Sequence, residues 1–184
     1  RLDDTVPAAE ADQTVRGALV HDPPAEPPAD DESHLAALLA DVDVVVRVLG
    51  EVEAVRLSPA GEQRLASERQ KGLEALAYMA LRESAVDRED LEITLFPTGA
   101  NATKTFHNTV SAARRTVGEE LLPHSTSGRY ELSERVVTDY GLFCDLVARA
   151  EETDDAERAA AMLGEALGLV RGELVPYGSY YLTG

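Results

Sequence analysis

The sequence predicts an α+β fold in which two short strands, three helices, a β-hairpin and a final pair of helices follow one another along the chain. Three observations support this prediction. β-Branched residues cluster in residues 42–55, apolar residues recur at helical spacing in three later segments, and a turn signal separates two short extended segments near residues 125–137. The apolar fraction of 44% is sufficient for a globular core.

The first 34 residues combine acidic residues with a proline-rich run at residues 21–32 and offer few large apolar groups for burial. This composition predicts a disordered linker, to which we assign residues 1–42. A short apolar patch at residues 35–40 is expected to form a helical turn or two that docks on the following domain. An alternative role for the acidic segment is to imitate DNA and compete for a basic surface of the same chain.

The predicted central domain covers residues 43–138 and opens with a valine-rich segment that Gly50 interrupts. Because β-branched residues favour extended backbone, this segment is expected to form two strands joined by a tight turn. Apolar residues then recur at i, i+3, i+4, i+7 and i+8, which predicts an amphipathic helix over residues 67–82. Asp87 is a suitable N-cap for a second helix, which reaches Leu95 before a proline and a glycine end it.

The third predicted helix covers residues 101–118, a long segment that carries basic residues and no acidic residue. At 100° per residue, the apolar side chains form one stripe, composed of Phe106, Val110, Ala113 and Val117. The polar side chains gather on the opposite side, which presents Lys104, Asn108, Ser111 and Arg115. Gly118 is expected to end the helix in a left-handed cap, and Asn101 or Thr103 to cap its start.

Beyond this helix, a turn signal at residues 125–128 lies between two extended segments, residues 129–132 and residues 136–137, and predicts a β-hairpin. The final segment, residues 139–184, reads as two helices over residues 140–150 and 156–170, with Asp154 or Asp155 as the cap of the second. The apolar face predicted for that second helix contains Met162, Leu163, Ala166, Leu167 and Val170.

Net charge limits the partners that this chain can have. Its formal charge of −17 disfavours nucleic acid, because DNA binding usually leaves a basic surface. Residues 1–42 hold two basic and ten acidic residues, residues 43–128 hold ten and thirteen, and residues 129–184 hold five and eleven. The part of the chain that contains the third helix is therefore nearly neutral, with a net charge of −3.

The sequence contains no catalytic or metal-binding constellation. The four histidines show no ligand spacing with one another or with Cys144. Residues 99–105 partly resemble a phosphate-binding loop, but the glycine that should precede the lysine is absent, and no later strand ends in an acid suited to magnesium. We therefore expect no enzyme activity, no cofactor and no metal.

No run of about 18 apolar residues is present and no signal peptide is visible, so we expect a cytoplasmic protein without membrane contact. The single cysteine, Cys144, excludes an internal disulfide and favours a reducing compartment. Its apolar neighbours predict that its side chain is packed in the interior. Because the chain begins with Arg1 rather than methionine, it is expected to be a fragment.

The predicted order of strands, three helices with a basic third helix, and a hairpin is that of a winged helix-turn-helix with an N-terminal sheet. Several segments also resemble the DNA-binding domain of the Streptomyces antibiotic regulatory proteins, an actinobacterial family. They are residues 46–55 (VRVLGEVEAV), 68–77 (ERQKGLEALA), 86–91 (VDREDL), 96–97 (FP) and 110–118 (VSAARRTVG). The segment GRYEL at residues 128–132 resembles the family's wing, and residues 139–172 resemble the opening of its bacterial transcriptional activator domain.

The sequence departs from the family's pattern at two positions. Phe96 replaces the usual tryptophan before Pro97, and Ala113 replaces the usual leucine before the paired arginines. Both replacements keep the apolar character of the position, so they are not expected to disturb the fold.

The resemblance implies a transcriptional regulator that binds double-stranded DNA with the third helix in the major groove. It assigns DNA contacts to six polar side chains, namely Lys104, Asn108 and Ser111 at base edges or nearby phosphates, Arg114 and Arg115 at the backbone, and Arg129 in the minor groove. Other roles remain open at this point. Arg114 and Arg115 could instead be solvated at a helix end, and Arg129 could pair locally with Glu131 or Glu134.

An alternative function is a winged-helix fold used for protein interaction or self-association without DNA binding. The negative charge of the chain suits contact with a basic partner protein. The helical segment at residues 139–184 is the expected contact for such a partner or for a second copy.

Overall fold

The computed structural model describes residues 33–82, 84–97, 102–125 and 127–174, and within them the fold is mixed α+β, as the sequence predicts. The helices are α1 (His34–Leu38), α2 (Gln70–Ala80), α3 (Arg88–Leu95), α4 (Ala102–Val117), α5 (Asp139–Glu152) and α6 (Ala156–Leu169). The strands are β1 (Val44–Arg47), β2 (Glu53–Arg56), β3 (Gln63–Arg64), β4 (Val86–Asp87), β5 (Arg129–Tyr130) and β6 (Val136–Thr138). Most of the predicted linker, residues 1–32, lies outside the described residues.

The two N-terminal strands form as predicted. β1 and β2 pair in antiparallel register with Val45 opposite Val55, and β3 adds to the far side of β2. Gly50 lies in the turn with a φ of +128°, a conformation that side chains disfavour. A Cβ at this position would also lie 3.2 Å from the Cβ of Arg171, so the turn requires glycine for two reasons.

The predicted hairpin between residues 129–132 and residues 136–137 does not form, and this prediction is wrong. β5 pairs antiparallel with β4, with Tyr130 opposite Val86, whereas β6 lies parallel to β1, with Val136 opposite Val44. The larger sheet therefore has the order β3-β2-β1-β6, and β4 and β5 form a second, two-stranded sheet. Strands this short gain little from pairing with each other, so the burial of Tyr130 and Val136 in the core decides their partners.

The main core lies between the larger sheet and helices α2, α3 and α4. Its fully buried side chains include those of Phe106, Leu76, Leu91, Leu95 and Leu121. The Phe106 ring meets the Tyr130 ring edge to face, with centroids 5.8 Å apart, which ties α4 to β5. This core fixes the position of α4 from three sides.

A second, smaller core lies among α1, α5 and α6. Its buried residues are Leu146, Ala150, Met162 and Ala166, and Leu35 and Leu38 of α1 pack against them. The helical turn expected near residues 35–40 is therefore present, but it docks on the final helical pair rather than on the central domain that follows it. The carboxylate of Glu165 accepts hydrogen bonds from the N–H groups of His34 and Leu35, at 3.2 and 2.6 Å, and so holds the start of α1.

The caps and burial predicted for the final helices are only partly correct. Asp155 caps α6 by accepting hydrogen bonds from the N–H groups at positions 157 and 158. Cys144 is exposed rather than packed, so the prediction for its thiol is wrong. Leu163, Leu167 and Val170 are also exposed, because α1 and α5 cover only the side of α6 that carries Met162 and Ala166.

Asp139 joins the helical pair to the larger sheet. Its Oδ1 accepts hydrogen bonds from the N–H groups of Val48, at 2.7 Å, and Leu49, at 3.2 Å, and Arg171 lies 3.5 Å from its Oδ2. Burial raises the pKa of this carboxyl group above its ordinary value, while the two N–H donors and Arg171 act in the opposite direction. Arg171 also pairs with Glu53 at 3.0 Å, so the chain that leaves α6 is fastened to β2.

Candidate nucleic-acid interface

The inner face of α4 forms as the sequence predicts. Its four apolar side chains, at positions 106, 110, 113 and 117, are at most 3% exposed. Gly118 has a φ of +108°, and its N–H donates to the carbonyl oxygen of Arg114 at 2.7 Å, so the helix ends where expected. Thr103 lies inside α4 and is not the cap, while Asn101 lies outside the described residues.

The outer face of α4 is polar and directed to solvent. Lys104, Asn108 and Arg115 are exposed, Ser111 is half-buried, and His107 is exposed on one flank of this face. We call this surface the outer face of α4, defined by these five side chains. It contains no carboxylate, and a narrow polar stripe of this kind is what an inserted helix presents to a groove.

Neighbouring elements hold α4 in a fixed orientation. The Arg56 guanidinium donates to the carbonyl oxygen of Val117 at 2.7 Å, which satisfies an acceptor at the helix C-terminus. The Arg88 guanidinium lies 5.5 Å from the centre of the Phe106 ring. At the crossing with α2, a Cβ on Gly72 would lie 3.3 Å from the Cβ of Ala112, so glycine permits the close approach.

Arg114 does not belong to the outer face, which corrects its assignment to the DNA backbone. Its side chain is buried, with only 7% of the residue exposed. Its Nε donates to the carbonyl oxygen of Leu122 at 2.9 Å, and its Nη2 donates to that of Pro123 at 3.2 Å. Arg114 therefore folds the segment after α4 back against the helix.

Arg115 lies on the outer face but is already paired. Its Nη2 lies 2.7 Å from a carboxylate oxygen of Glu68, and both side chains are more than half exposed. An exposed ion pair contributes little to stability, typically about 0–1 kcal/mol, so water and salt compete with it readily. A DNA phosphate would compete with Glu68 for the same guanidinium.

Arg129 forms a local ion pair, but with a partner other than Glu131 or Glu134. Its Nε lies 3.3 Å from a carboxylate oxygen of Asp87, and its Nη2 donates to the carbonyl oxygen of Ala85 at 3.0 Å. Asp87 occupies the N-cap position of α3, as the sequence predicts, although its side chain makes no capping hydrogen bond. The strand pairing between β4 and β5 brings the two charges together.

Lys104 differs from the two arginines. It is exposed, and it pairs with no carboxylate among the residues that the structure describes. Within the described residues, the outer face therefore presents Lys104 without a carboxylate partner and Arg115 paired with Glu68. Binding of a polyanion at this face has to displace an acidic neighbour or be weak.

Sequence reasoning missed Glu68 and two residues of the segment after α4, His124 and Ser125. Glu68 is 47 positions from Arg115 along the chain, so no local pattern connects them. His124 and Ser125 lie beside the outer face because Arg114 holds the preceding carbonyls. A polar, turn-forming composition at residues 123–128 was the available signal, but it did not show which helix the turn would contact.

Neither a membrane-spanning segment nor a metal cluster occurs in the described parts of the chain. None of the helices there combines the length and apolar character needed to cross a bilayer. No group of three or more histidine, cysteine, aspartate or glutamate side chains is placed there to hold a metal ion.

The packing of α2, α3 and α4 against two small sheets places the chain among winged-helix-like folds. The structure is similar to that of Mycobacterium tuberculosis EmbR in complex with a low affinity phosphopeptide, with a TM-score of 0.59 and 22% sequence identity. The match covers 72% of this chain but only 37% of the EmbR chain. At this identity the likeness establishes the fold alone. No protein-family model and no curated protein matches the sequence.

Proposed function

We propose that this chain is the DNA-binding part of a transcriptional regulator of the Streptomyces antibiotic regulatory protein type, and that α4 enters the major groove. The observation that carries the proposal is the outer face of α4, which is polar, free of carboxylates and backed by a fully buried apolar stripe. The likeness of fold to EmbR and the resemblance of residues 46–118 to the family support the same function. The proposal is for a cytoplasmic binding protein rather than an enzyme.

The contacts that we propose follow from the exposure of each side chain. Lys104, Asn108 and Ser111 contact base edges or nearby phosphates, and Arg115 contacts the DNA backbone. Arg129 contacts DNA from beside the segment that follows α4. Arg114 is not proposed as a direct DNA contact, because its side chain is buried and two of its N–H groups donate to carbonyl oxygens within the fold.

The ion pairs of this surface predict weak, salt-sensitive binding by a single chain. With about three phosphate contacts, the logarithm of the binding constant should fall with the logarithm of salt concentration with a slope of about −3. The acidic residues beside Arg115 and Arg129 reduce the affinity further, because they compete with phosphate for the same guanidinium groups.

Fluorescence anisotropy with a short mixed-sequence duplex at low salt tests the proposal through two opposite substitutions. Arg115→Gln removes a phosphate contact and should weaken binding about tenfold, equivalent to about 1.4 kcal/mol. Glu68→Gln frees the guanidinium of Arg115 and should strengthen binding. The two effects have opposite signs because both variants act on one ion pair, 2.7 Å in length.

Arg149→Gln is the matched control. Arg149 is exposed on α5, so this substitution removes the same charge at a different place on the surface. It should leave the affinity nearly unchanged. The proposal is contradicted by an unmodified chain that shows no binding at low salt, or by equal effects of Arg115→Gln and Arg149→Gln.

A second candidate is association with a protein partner or a second copy through the C-terminal helices. The observation in its favour is the row of exposed apolar side chains on α6, where Leu163 and Leu167 are 42% and 68% exposed. Light scattering at increasing concentration distinguishes this candidate. If the chain associates through α6 and does not bind duplex, the result favours protein interaction over DNA binding.

A further inference from the structure

A cleft of about 310 Å³ lies between α4 and the segment that follows it, and its lining differs in charge from the rest of the molecule. Its polar walls are formed by His107, Ser111, Arg114, His124 and Ser125, and its apolar wall by Val110 and Tyr130. No carboxylate lines it, in a chain that contains 34 acidic residues. The charge and hydrogen-bonding character of this cleft suit an anion.

The hydroxyl group of Ser125 supports this conclusion independently. Its oxygen is buried and has no hydrogen-bond partner among the described residues. Leaving a buried polar group unpaired is costly, so such groups normally have a protein or solvent partner. Because this oxygen has almost no accessible surface, the Ser125 side chain has to rotate towards the cleft before an oxygen atom of a ligand there can accept its hydrogen bond.

The position of the cleft identifies the source of the anion. Ser111 and His107 belong both to the cleft and to the outer face of α4. A helix in the major groove has a phosphate backbone along each side. An anion held here would therefore lie beside any duplex that the outer face contacts.

Arg114 supplies a positive charge to the lining of the cleft, and two neighbouring carboxylates, those of Glu119 and Glu131, lie outside that lining. The Arg114 guanidinium keeps its charge in the wall while its N–H groups bind the carbonyls of Leu122 and Pro123. Glu119 lies 3.6 Å from the ring of His124, outside the lining of the cleft. Arg129 and Glu131 line an adjoining cleft that shares His124 and Ser125 with the first, so the attraction of Arg129 for an anion offsets the repulsion from Glu131.

We propose that this cleft holds one backbone phosphate of bound DNA, with hydrogen bonds donated by Ser125 and Ser111 and by the imidazole N–H groups of His107 and His124. This inference rests on the proposed DNA binding and adds a site that includes two residues outside α4. Arg114 has a structural role and also supplies positive charge to the phosphate from the wall of the cleft.

The test uses the full 184-residue chain and the double variant His124→Ala, Ser125→Ala. Loss of the hydrogen bonds that these two side chains donate to the phosphate should weaken duplex binding at low salt about tenfold. The matched control is Ser33→Ala, His34→Ala, which removes the same two residue types at the start of α1, a helix that packs on α5 and α6, and should keep the affinity. Thermal unfolding followed by circular dichroism verifies that both double variants are folded.

The outcomes separate the two proposals. If the unmodified chain binds duplex and the double variant keeps its affinity, the phosphate site is wrong and DNA binding stands. If the unmodified chain does not bind duplex at low salt, both proposals are overturned.

A second measurement distinguishes backbone phosphate from free phosphate ion. Inorganic phosphate, compared with chloride at equal ionic strength, should shift the NMR signals of Ser125 and His124 in the unmodified chain. If phosphate shifts the signals of the remaining cleft residues as much in the double variant as in the unmodified chain, the proposed phosphate site is contradicted. If inorganic phosphate shifts these signals but the chain does not bind duplex, the cleft binds a free anion and its assignment to DNA is overturned.

Discussion

The two cores of this chain differ in how completely they are enclosed. The main core is covered by the larger sheet and by three helices, so that Phe106, Leu76 and Leu91 have no exposed surface. The smaller core buries only one side of α6, and Leu167 on the other side is 68% exposed. Apolar residues at helical spacing therefore have different surroundings in α4 and in α6.

This difference shows which part of the fold is complete by itself. The main core closes around α4 and leaves only a polar face outside, which is suitable for reversible contact with a polar ligand. The smaller core leaves an apolar face on α6, and exposed apolar area of this kind marks an interaction surface or a liability to aggregate. The next three predictions compare enclosed with exposed side chains and then concern the contact between the two regions. They start with the largest expected effect.

Truncation of one apolar side chain in each region should have very different effects. Phe106→Ala creates a cavity in the enclosed core and should lower the free energy of unfolding by about 3–5 kcal/mol. Leu167→Ala removes a side chain that is mostly in water and should change it by less than about 0.5 kcal/mol. Urea unfolding measures both, and comparable losses would contradict the contrast between the two cores.

Substitution of two adjacent arginines on α4 should likewise lower the free energy of unfolding more at the buried position than at the exposed one. Arg114→Met leaves the carbonyl oxygens of Leu122 and Pro123 without their donors and should cost about 2 kcal/mol. Arg115→Met breaks only an exposed ion pair and should cost less than about 1 kcal/mol. Thermal or urea unfolding of the two variants gives the comparison, in which a larger loss for Arg115→Met would show that the assignment of Arg114 is incorrect.

The contact between the two regions should carry a pH dependence through Asp139. Burial raises the pKa of this carboxyl group in the folded chain, so between its unfolded and folded pKa values the folded state binds more protons. Its contribution to stability is therefore greatest below the unfolded pKa and falls as pH rises to the folded pKa. The loss is about 1.4 kcal/mol for each unit by which the pKa is raised.

Asp139→Asn removes this titration. The free energy of unfolding of the variant minus that of the unmodified chain should therefore increase from about pH 4 to about pH 7. Urea unfolding at several pH values measures the difference, with Asp145→Asn on the exposed side of α5 as the control. A difference that is constant over this range would show that the Asp139 pKa is not raised.

The sequence predicted the candidate interface only for those side chains whose exposure depends on their position along the helix. The positions of Lys104, Asn108 and Arg115 on one side follow from helical geometry and from the apolar stripe opposite. The burial of Arg114 could not be predicted, because it depends on carbonyl groups that return to the helix after Gly118. The partners of Arg115 and Arg129 were also hidden, since the segment before α2 and strand β4 supply them from distant positions. Whether these residues contact DNA stays a prediction.

The sequence by itself determined which residues share a face and where α4 stops. Periodicity and the backbone preference of Gly118 are local properties, and the structure agrees with both. Only the tertiary structure decided which faces are covered and which strands pair. β6 joins β1, Cys144 points to solvent, and one face of α6 remains uncovered, because these outcomes depend on burial among distant segments. A periodic pattern describes the surface that a segment offers, and the fold determines what covers it.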